Sequence, residues 1–410
     1  MVSGIYAYAL QSAVLSLSGK VPSRISSRGL CRALSSSSSS SSTLTREKYK
    51  PTIADPKTHT MGQSLERYLQ MKVHPEAVHT ENAWEEILVH GLHSRWGSSK
   101  ISPLEKKDKP FNWQRPTARM DGDSMKLALQ CFPGVDYVKH YASIVATYLS
   151  LRGGDPGSVS YTIPTAEECI SPLLLSNLRE MGPVDVVVMG YVHALDQFIR
   201  PDVWQYGMHS NDPKDELFGW QIVKIPASCR KVAFLGCRVS FWGDISGHIV
   251  RLLKTLNKAQ EVIYVGKLGS LDPAHIPNMF IATGSSSQLV GVGAIRWQNV
   301  LQPFMEDSRR VVYGEHHTIP SVLDESKEWL KAKRAKYNFV DPEIGHMASA
   351  AVESGMKFGY LHVISDNLAR KYEFDLSNER KKGVLDARTE MFREIQRILL
   401  KYFESREEWE

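Results

Sequence analysis

Two carboxylates stand where a chain that alternates strands and helices delivers side chains to a pocket. Glu343 follows the apolar stretch 337-YNFVD-341 and opens the helical pattern 343-EIGHMASAAVESG-355, while Asp366 ends the apolar run 359-GYLHVIS-365. In open α/β sheets, loops and helix N-termini converge on a ligand at the carboxyl ends of strands, so both acids are expected on one rim. Paired carboxyls on one rim are candidates for general acid–base chemistry. Each position also has a plainer use. An acid in the first turn complements a helix dipole, and Asp is a common turn and cap residue.

The elements that must position these acids follow from the pattern upstream. The segment 165-TAEECISPLLLSNLREM-181 reads as a helix capped by Thr165, leading into the strand VDVVVMG; WQIVKI and KVAFLG follow as further strands. GHIVRLLKTLN reads as a helix, and EVIYVG, NMFIAT, LVGVGAI and RRVVYGE as strands. Continuous Val/Ile runs between helices mark strands buried on both faces. The fold class is therefore α/β, a mixed, largely parallel central sheet flanked by helices. A last helix from about Leu385 to Glu404, with Met391, Ile395, Ile398 and Tyr402 at helical spacing, should cover one face.

Before this unit, residues 47–158 read as a partly helical extension, because AWEEILVHGLHSRW and SMKLALQCFPGVDYVKHYASIVATYLSL place apolar residues three and four apart. The cluster 153-GGDPG-157 punctuates the chain, which divides it into 1–46, 47–158 and 159–410. Met1 to Arg46 contains no Asp or Glu, several arginines and an unbroken serine run from Ser35 to Ser42. That is the composition of an organelle transit peptide, mitochondrial by its arginine spacing, with chloroplast import or a disordered cytosolic tail as the other uses of such a stretch.

A length of 410 residues, with 42% apolar and 23% charged residues, allows a large globular unit plus an extension. A net charge of +5, partly from the N-terminus, implies no nucleic-acid partner. No run approaches the roughly 18 apolar residues of a membrane helix. Five scattered cysteines without a Cys-x-x-Cys pair fit a reduced compartment. The pair His316-His317 reads as a solvent-facing loop, so neither a metal nor another cofactor is expected.

The stretch holding Glu343 and 365-SDN-367, with the two acids 23 positions apart, resembles the signature of the nucleoside phosphorylase superfamily. That superfamily includes purine nucleoside phosphorylase, uridine phosphorylase and methylthioadenosine/adenosylhomocysteine nucleosidase. The pieces 185-DVVVMGYVHALDQFI-199, 231-KVAFLGCRVSFWGDISGHIVRLL-253 and 262-VIYVGKLGSLDPAHIPNMFIATG-284 resemble its strand and glycine-loop segments, so the likeness spans roughly residues 160 to 410. It implies an enzyme that cleaves an N-ribosidic bond and assembles as a homo-oligomer. Glu343 would grip two ribose hydroxyls, with Gly190, Gly266, Pro342, Ser365 and Asn367 lining the nucleoside site. Asp366, steered by Arg380, would protonate the imidazole nitrogen of a departing purine. His316, His317 and Thr318 would fall on the base-contacting loop.

This sequence departs from the phosphorylases at their two phosphate-gripping arginines, whose places hold Ala194 and Tyr264. Phosphate recognition leans on charge-assisted, often bidentate arginine contacts. Water is therefore the favoured acceptor, activated by Asp196 or His193. The alternatives are phosphorolysis at an anion site rebuilt from Lys267 or Arg238, and a nucleoside-binding protein without turnover. Asp341-Pro342-Glu343 replaces a Met-containing helix start, Pro being at ease there because its missing N–H has no intrahelical partner. Trp242 and Tyr264 would fill space that phosphate or sugar takes in relatives.

Overall fold

The computed structural model describes residues 46–78, 84–120, 125–207, 216–378 and 381–405. The transit-like composition up to residue 45, and Arg380, lie outside the described residues.

A smaller sheet comes first. Its strands are β1 (Glu86–Gly91), β2 (Thr117–Met120), β3 (Lys126–Cys131) and β4 (Val159–Tyr161), in the order β2-β3-β1-β4. Helix α1 (Ser64–Gln70) precedes it, and α2 (Val135–Leu151) runs between β3 and β4. The helical reading of 83–96 and of the start of 124–151 is thus corrected. β1 is a central strand, parallel to both β3 and β4, and such strands carry short continuous apolar runs whose spacing also matches a helix face. The strand β4 directly follows the glycine-proline cluster, so the smaller sheet runs past it.

The larger sheet contains β5 (Val186–Gly190), β6 (Phe218–Lys224), β7 (Lys231–Cys237), β8 (Glu261–Ser270), β9 (Ile281–Thr283), β10 (Ser286–Leu289), β11 (Gly293–Arg296), β12 (Val311–Tyr313), β13 (His316–Thr318), β14 (Phe339–Asp341) and β15 (Lys357–Asn367). Its helices are α3 (Ala166–Leu174), α4 (Asp244–Asn257), α5 (Lys327–Lys333), α6 (Ile344–Glu353) and α7 (Lys382–Glu404). Thr165 caps α3 through a reciprocal pair with Glu168, as Thr-x-x-Glu predicts. LVGVGAI is a hairpin rather than one strand, because Gly291 and Gly293 take left-handed φ values of +79° and +127° between β10 and β11.

Strand β8 organises the sheet. It is parallel to β15 along its length, pairs in its first half with β5 on the other edge, and beyond Gly266 pairs antiparallel with β14. The ends of β5, β8, β14 and β15 therefore meet in one place. Helix α7 covers one face, packing Ile395, Leu399 and Phe403 among Val188, Phe234 and Val363. On the other face one continuous core joins Val89, Leu129, Tyr141 and Val145 of the smaller sheet and α2 to Leu235, Val262 and Ile364 of the larger.

The loop between the sheets is pinned by shape. Phe111 is 1% exposed, and a Cβ on Gly236 would lie 2.2 Å from its ring, one on Gly219 3.0 Å. Two glycines on adjacent strands thus form a notch for one ring. Beside it, the Asn112 and Trp113 amides donate to the carbonyls of Cys237 and Arg238 at 2.7 and 3.1 Å.

Candidate active site

Asp366 reaches its place through an irregularity. The β8–β15 register slips between Ile364 and Asp366. A bulge breaks the strict alternation of side chains and re-aims them, so the consecutive residues Ser365 and Asp366 both line one cavity. The Ser365 hydroxyl bonds the Asp366 carboxylate at 2.7 Å.

Glu343 is delivered by the junction of β14 and α6. The Asp341 carboxylate accepts from the amides of Glu343 and Ile344 at 3.0 and 2.9 Å, tying down the first turn, and Pro342 costs no intrahelical bond there. Glu343 is buried, with the Tyr264 hydroxyl 3.4 Å from one of its oxygens. Burial and the charge of Asp341 push its carboxyl well above the usual range. Asp341 itself is buried too, which opposes its ionisation, but His316 at 3.2 Å and His362 at 3.7 Å hold it below that range. The two neighbouring environments thus drive the carboxyls in opposite directions, favouring the proton on Glu343 and the charge on Asp341.

The cavity spans about 240 Å³ and is lined by Glu343, Asp366, Asp341, Pro342, Ser365, Gly190, His193, Gly266, Lys267, Tyr264 and Trp242. Gly190 needs its bare backbone: φ is +101°, and a Cβ would lie 2.2 Å from the Val265 carbonyl. A Cβ on Gly266 would meet the His362 ring at 2.7 Å. His193 is held neutral by burial and by the charge of Lys109, its pKa lowered to about 4. The Lys267 ammonium lies 5.4 Å over the Tyr191 ring.

Other expected residues stand elsewhere. Asp196 is exposed, accepts from Gln396 at 3.0 Å, and does not line the cavity. Asn367 ties loops together, donating to the carbonyls of Asp272 and His275. Arg238 lies over the Tyr206 ring at 4.5 Å and donates to the Glu216 carbonyl. His316 and His317 form part of the buried strand β13 rather than a solvent-facing loop. His316 pairs with Asp341, while His317 stacks on Tyr337 with ring centres 4.7 Å apart, away from the cavity.

Several lining residues carried no signal in the sequence. Glu325, 4% exposed, faces the same cavity as Asp366; burial and the Asp366 charge raise its pKa well above the usual range. Residues 47–158 supply Tyr68, Lys72, Lys106, Lys109, Arg115, Tyr137, His140 and Tyr141. His140 stacks on Trp242 at 4.1 Å and 7°, an arrangement fixed by the bonds from Trp242 to the Pro320 carbonyl and between His140 and Ser321, both 2.7 Å.

Cys169, Asp244 and His248 place their ligand atoms within 4.8 Å of one another. The Asp244 oxygens accept from the amides of Val135 and Asp136 at 2.9 and 3.1 Å, so this group anchors the start of α2. Among the described residues, no helix is long and apolar enough to cross a membrane.

No protein-family model matches the chain. It is 25% identical, over 347 aligned positions, to a protein named oxidoreductase cns1 from Cordyceps militaris, covering 74% of this chain and 41% of that protein. The chain thus spans less than half of that relative, whose name speaks for the longer protein. Among solved structures, it is similar to the 5′-methylthioadenosine/S-adenosylhomocysteine nucleosidase of Campylobacter jejuni, at 12% identity and TM-score 0.40, covering 54% of this chain and 99% of that one. The uridine phosphorylase of Vibrio fischeri gives 12%, 0.41, 54% and 93%, and the purine nucleoside phosphorylase of Toxoplasma gondii 12%, 0.39, 55% and 92%.

Proposed function

We propose that the chain cleaves the N-ribosidic bond of a purine nucleoside or nucleoside-like metabolite, with water as the acceptor. The observation that carries this reading is the meeting of Glu343, Asp366 and Glu325 in one cavity, where burial favours the protonated forms of Glu343 and Glu325. Cleavage builds positive charge on the ribose and negative charge on the leaving base, so an enzyme gains by holding the sugar and protonating the base. Glu343 takes the ribose hydroxyls and Asp366 delivers the proton to the purine imidazole. The His140–Trp242 stack receives the flat base. His193, rather than the exposed Asp196, faces the cavity; as a weakly basic neutral imidazole it orients water more than it deprotonates it.

Chromatographic detection of free base, without phosphate, tests the reading. Asp366→Asn is expected to lower turnover by about 10²–10⁴-fold, the usual worth of a positioned general acid. Base release indifferent to that substitution sinks the proposal. Lys267 on the cavity wall favours a second reading, phosphorolysis, in which the same assay responds only when phosphate is added.

A further inference from the structure

The charge on the cavity wall is divided by origin. Its carboxyls, Glu325, Asp341, Glu343 and Asp366, come from the part of the chain that carries the larger sheet, whereas Lys72, Lys106, Lys109 and Arg115 come from the extension, joined by Lys267 in the second half of β8. The extension's cations are placed selectively. Lys106 and Lys109 close a turn through a backbone bond of 3.2 Å, and both are half-buried on the cavity wall while Lys107 and Asp108 between them are exposed. That turn leads directly into Phe111 in its glycine notch, so its position is set by the larger sheet.

Two buried nitrogens on this wall have no hydrogen-bond partner among the described residues: Nε of Arg115 and Nδ1 of His193. Among the described residues, the Arg115 guanidinium otherwise makes only long bonds, from one terminal nitrogen to the carbonyls of Asn112 at 3.5 Å and Gln114 at 3.4 Å. A buried guanidinium N–H without an acceptor is costly. Its natural complement is an anion with several oxygens, for which the guanidinium fork is shaped. A free phosphate nucleophile would have to sit against the ribose, beside Glu343. That place is taken by the neutral Tyr264 phenol, 3.4 Å from Glu343. With Glu343 holding the two ribose hydroxyls, the remaining ribose position open to an anionic substituent is the carbon farthest from the base.

We infer that the substrate is a purine nucleoside 5′-monophosphate, its phosphate held by Arg115, Lys109 and Lys267, so that the extension selects the substrate which the carboxyls of the larger sheet cleave. The inference rests on the N-ribosidic reading of the site. The test uses the full chain with a purine nucleoside and its 5′-monophosphate, each with and without inorganic phosphate, and reads free base. The expected result is base release from the monophosphate without added phosphate, with kcat/KM about tenfold or more above the nucleoside, the scale of one charge-assisted contact. Arg115→Ala should collapse that ratio, chiefly through KM, and Lys107→Ala should leave it unchanged. Equal cleavage of both compounds without phosphate overturns the inference and leaves the N-ribosidic reading intact. Cleavage of the nucleoside only with added phosphate also overturns it and assigns the cations to the free anion.

Calorimetric binding to the Asp366→Asn protein separates recognition from turnover. Tighter binding of the monophosphate than of the nucleoside, by about tenfold and weakened by salt, supports the inference even if no base is released, in which case only the catalytic reading falls. Equal affinities overturn it.

Discussion

At the residue scale, the acids divide into those that a reader of the chain can find and one that only the fold reveals. Glu343 and Asp366 follow apolar runs at strand ends, and that position gave them away. Glu325 lies in an unremarkable polar stretch and becomes significant only because burial places it against Asp366. Glu325→Gln removes a group whose ionisation both burial and the Asp366 charge oppose. The same substitution should raise stability above about pH 5. A carboxyl whose folded pKa is raised stabilises the fold below its unfolded pKa of about 4.5, and that contribution is lost as pH rises through the folded value.

At the element scale, most strands of the larger sheet were legible, β13 and the β10–β11 hairpin excepted, and those of the extension were not. Long Val/Ile runs such as β5 and β15 admit one interpretation, whereas Ile87, Leu88 and Val89 of β1 sit among Trp84, Leu92 and Trp96 at spacings that satisfy a helix equally well. Only pairing with β3 and β4 decides between them. Nor can spacing reveal that the extension walls the cavity, since this depends on Phe111 meeting glycines far along the chain. Gly236→Ala would drive a methyl into that ring, with an expected cost of about 1–3 kcal/mol by overpacking and a higher KM as the Lys106–Lys109 turn shifts. Adding Phe111→Ala should remove the clash, making the double mutant less destabilised than the sum of the singles. Strict additivity in thermal melts would show that the ring and the glycine act independently.

At the scale of the whole molecule, buried imidazoles set the response to acid. Burial lowers His193 and His248 to about 4, and His140 and His362 to about 3. A histidine depressed in the fold adds stability that is complete above its unfolded pKa of about 6.5 and lost as pH falls toward the folded value. Glu325 and Glu343 work in the opposite direction over part of that range, but fewer groups carry their effect. The melting temperature should therefore fall steadily from pH 7 to pH 5, and a flat profile would mean that these rings are hydrated rather than buried. The notch around Phe111 also bears on how the chain is made. The extension leaves the ribosome first, carrying a large apolar ring whose receptor has not yet been synthesised. Until β6 and β7 emerge and pair, that ring is a sticky, unsheltered group, so the nascent chain passes through a period in which a chaperone's grip on the 105–115 region would protect it from aggregation.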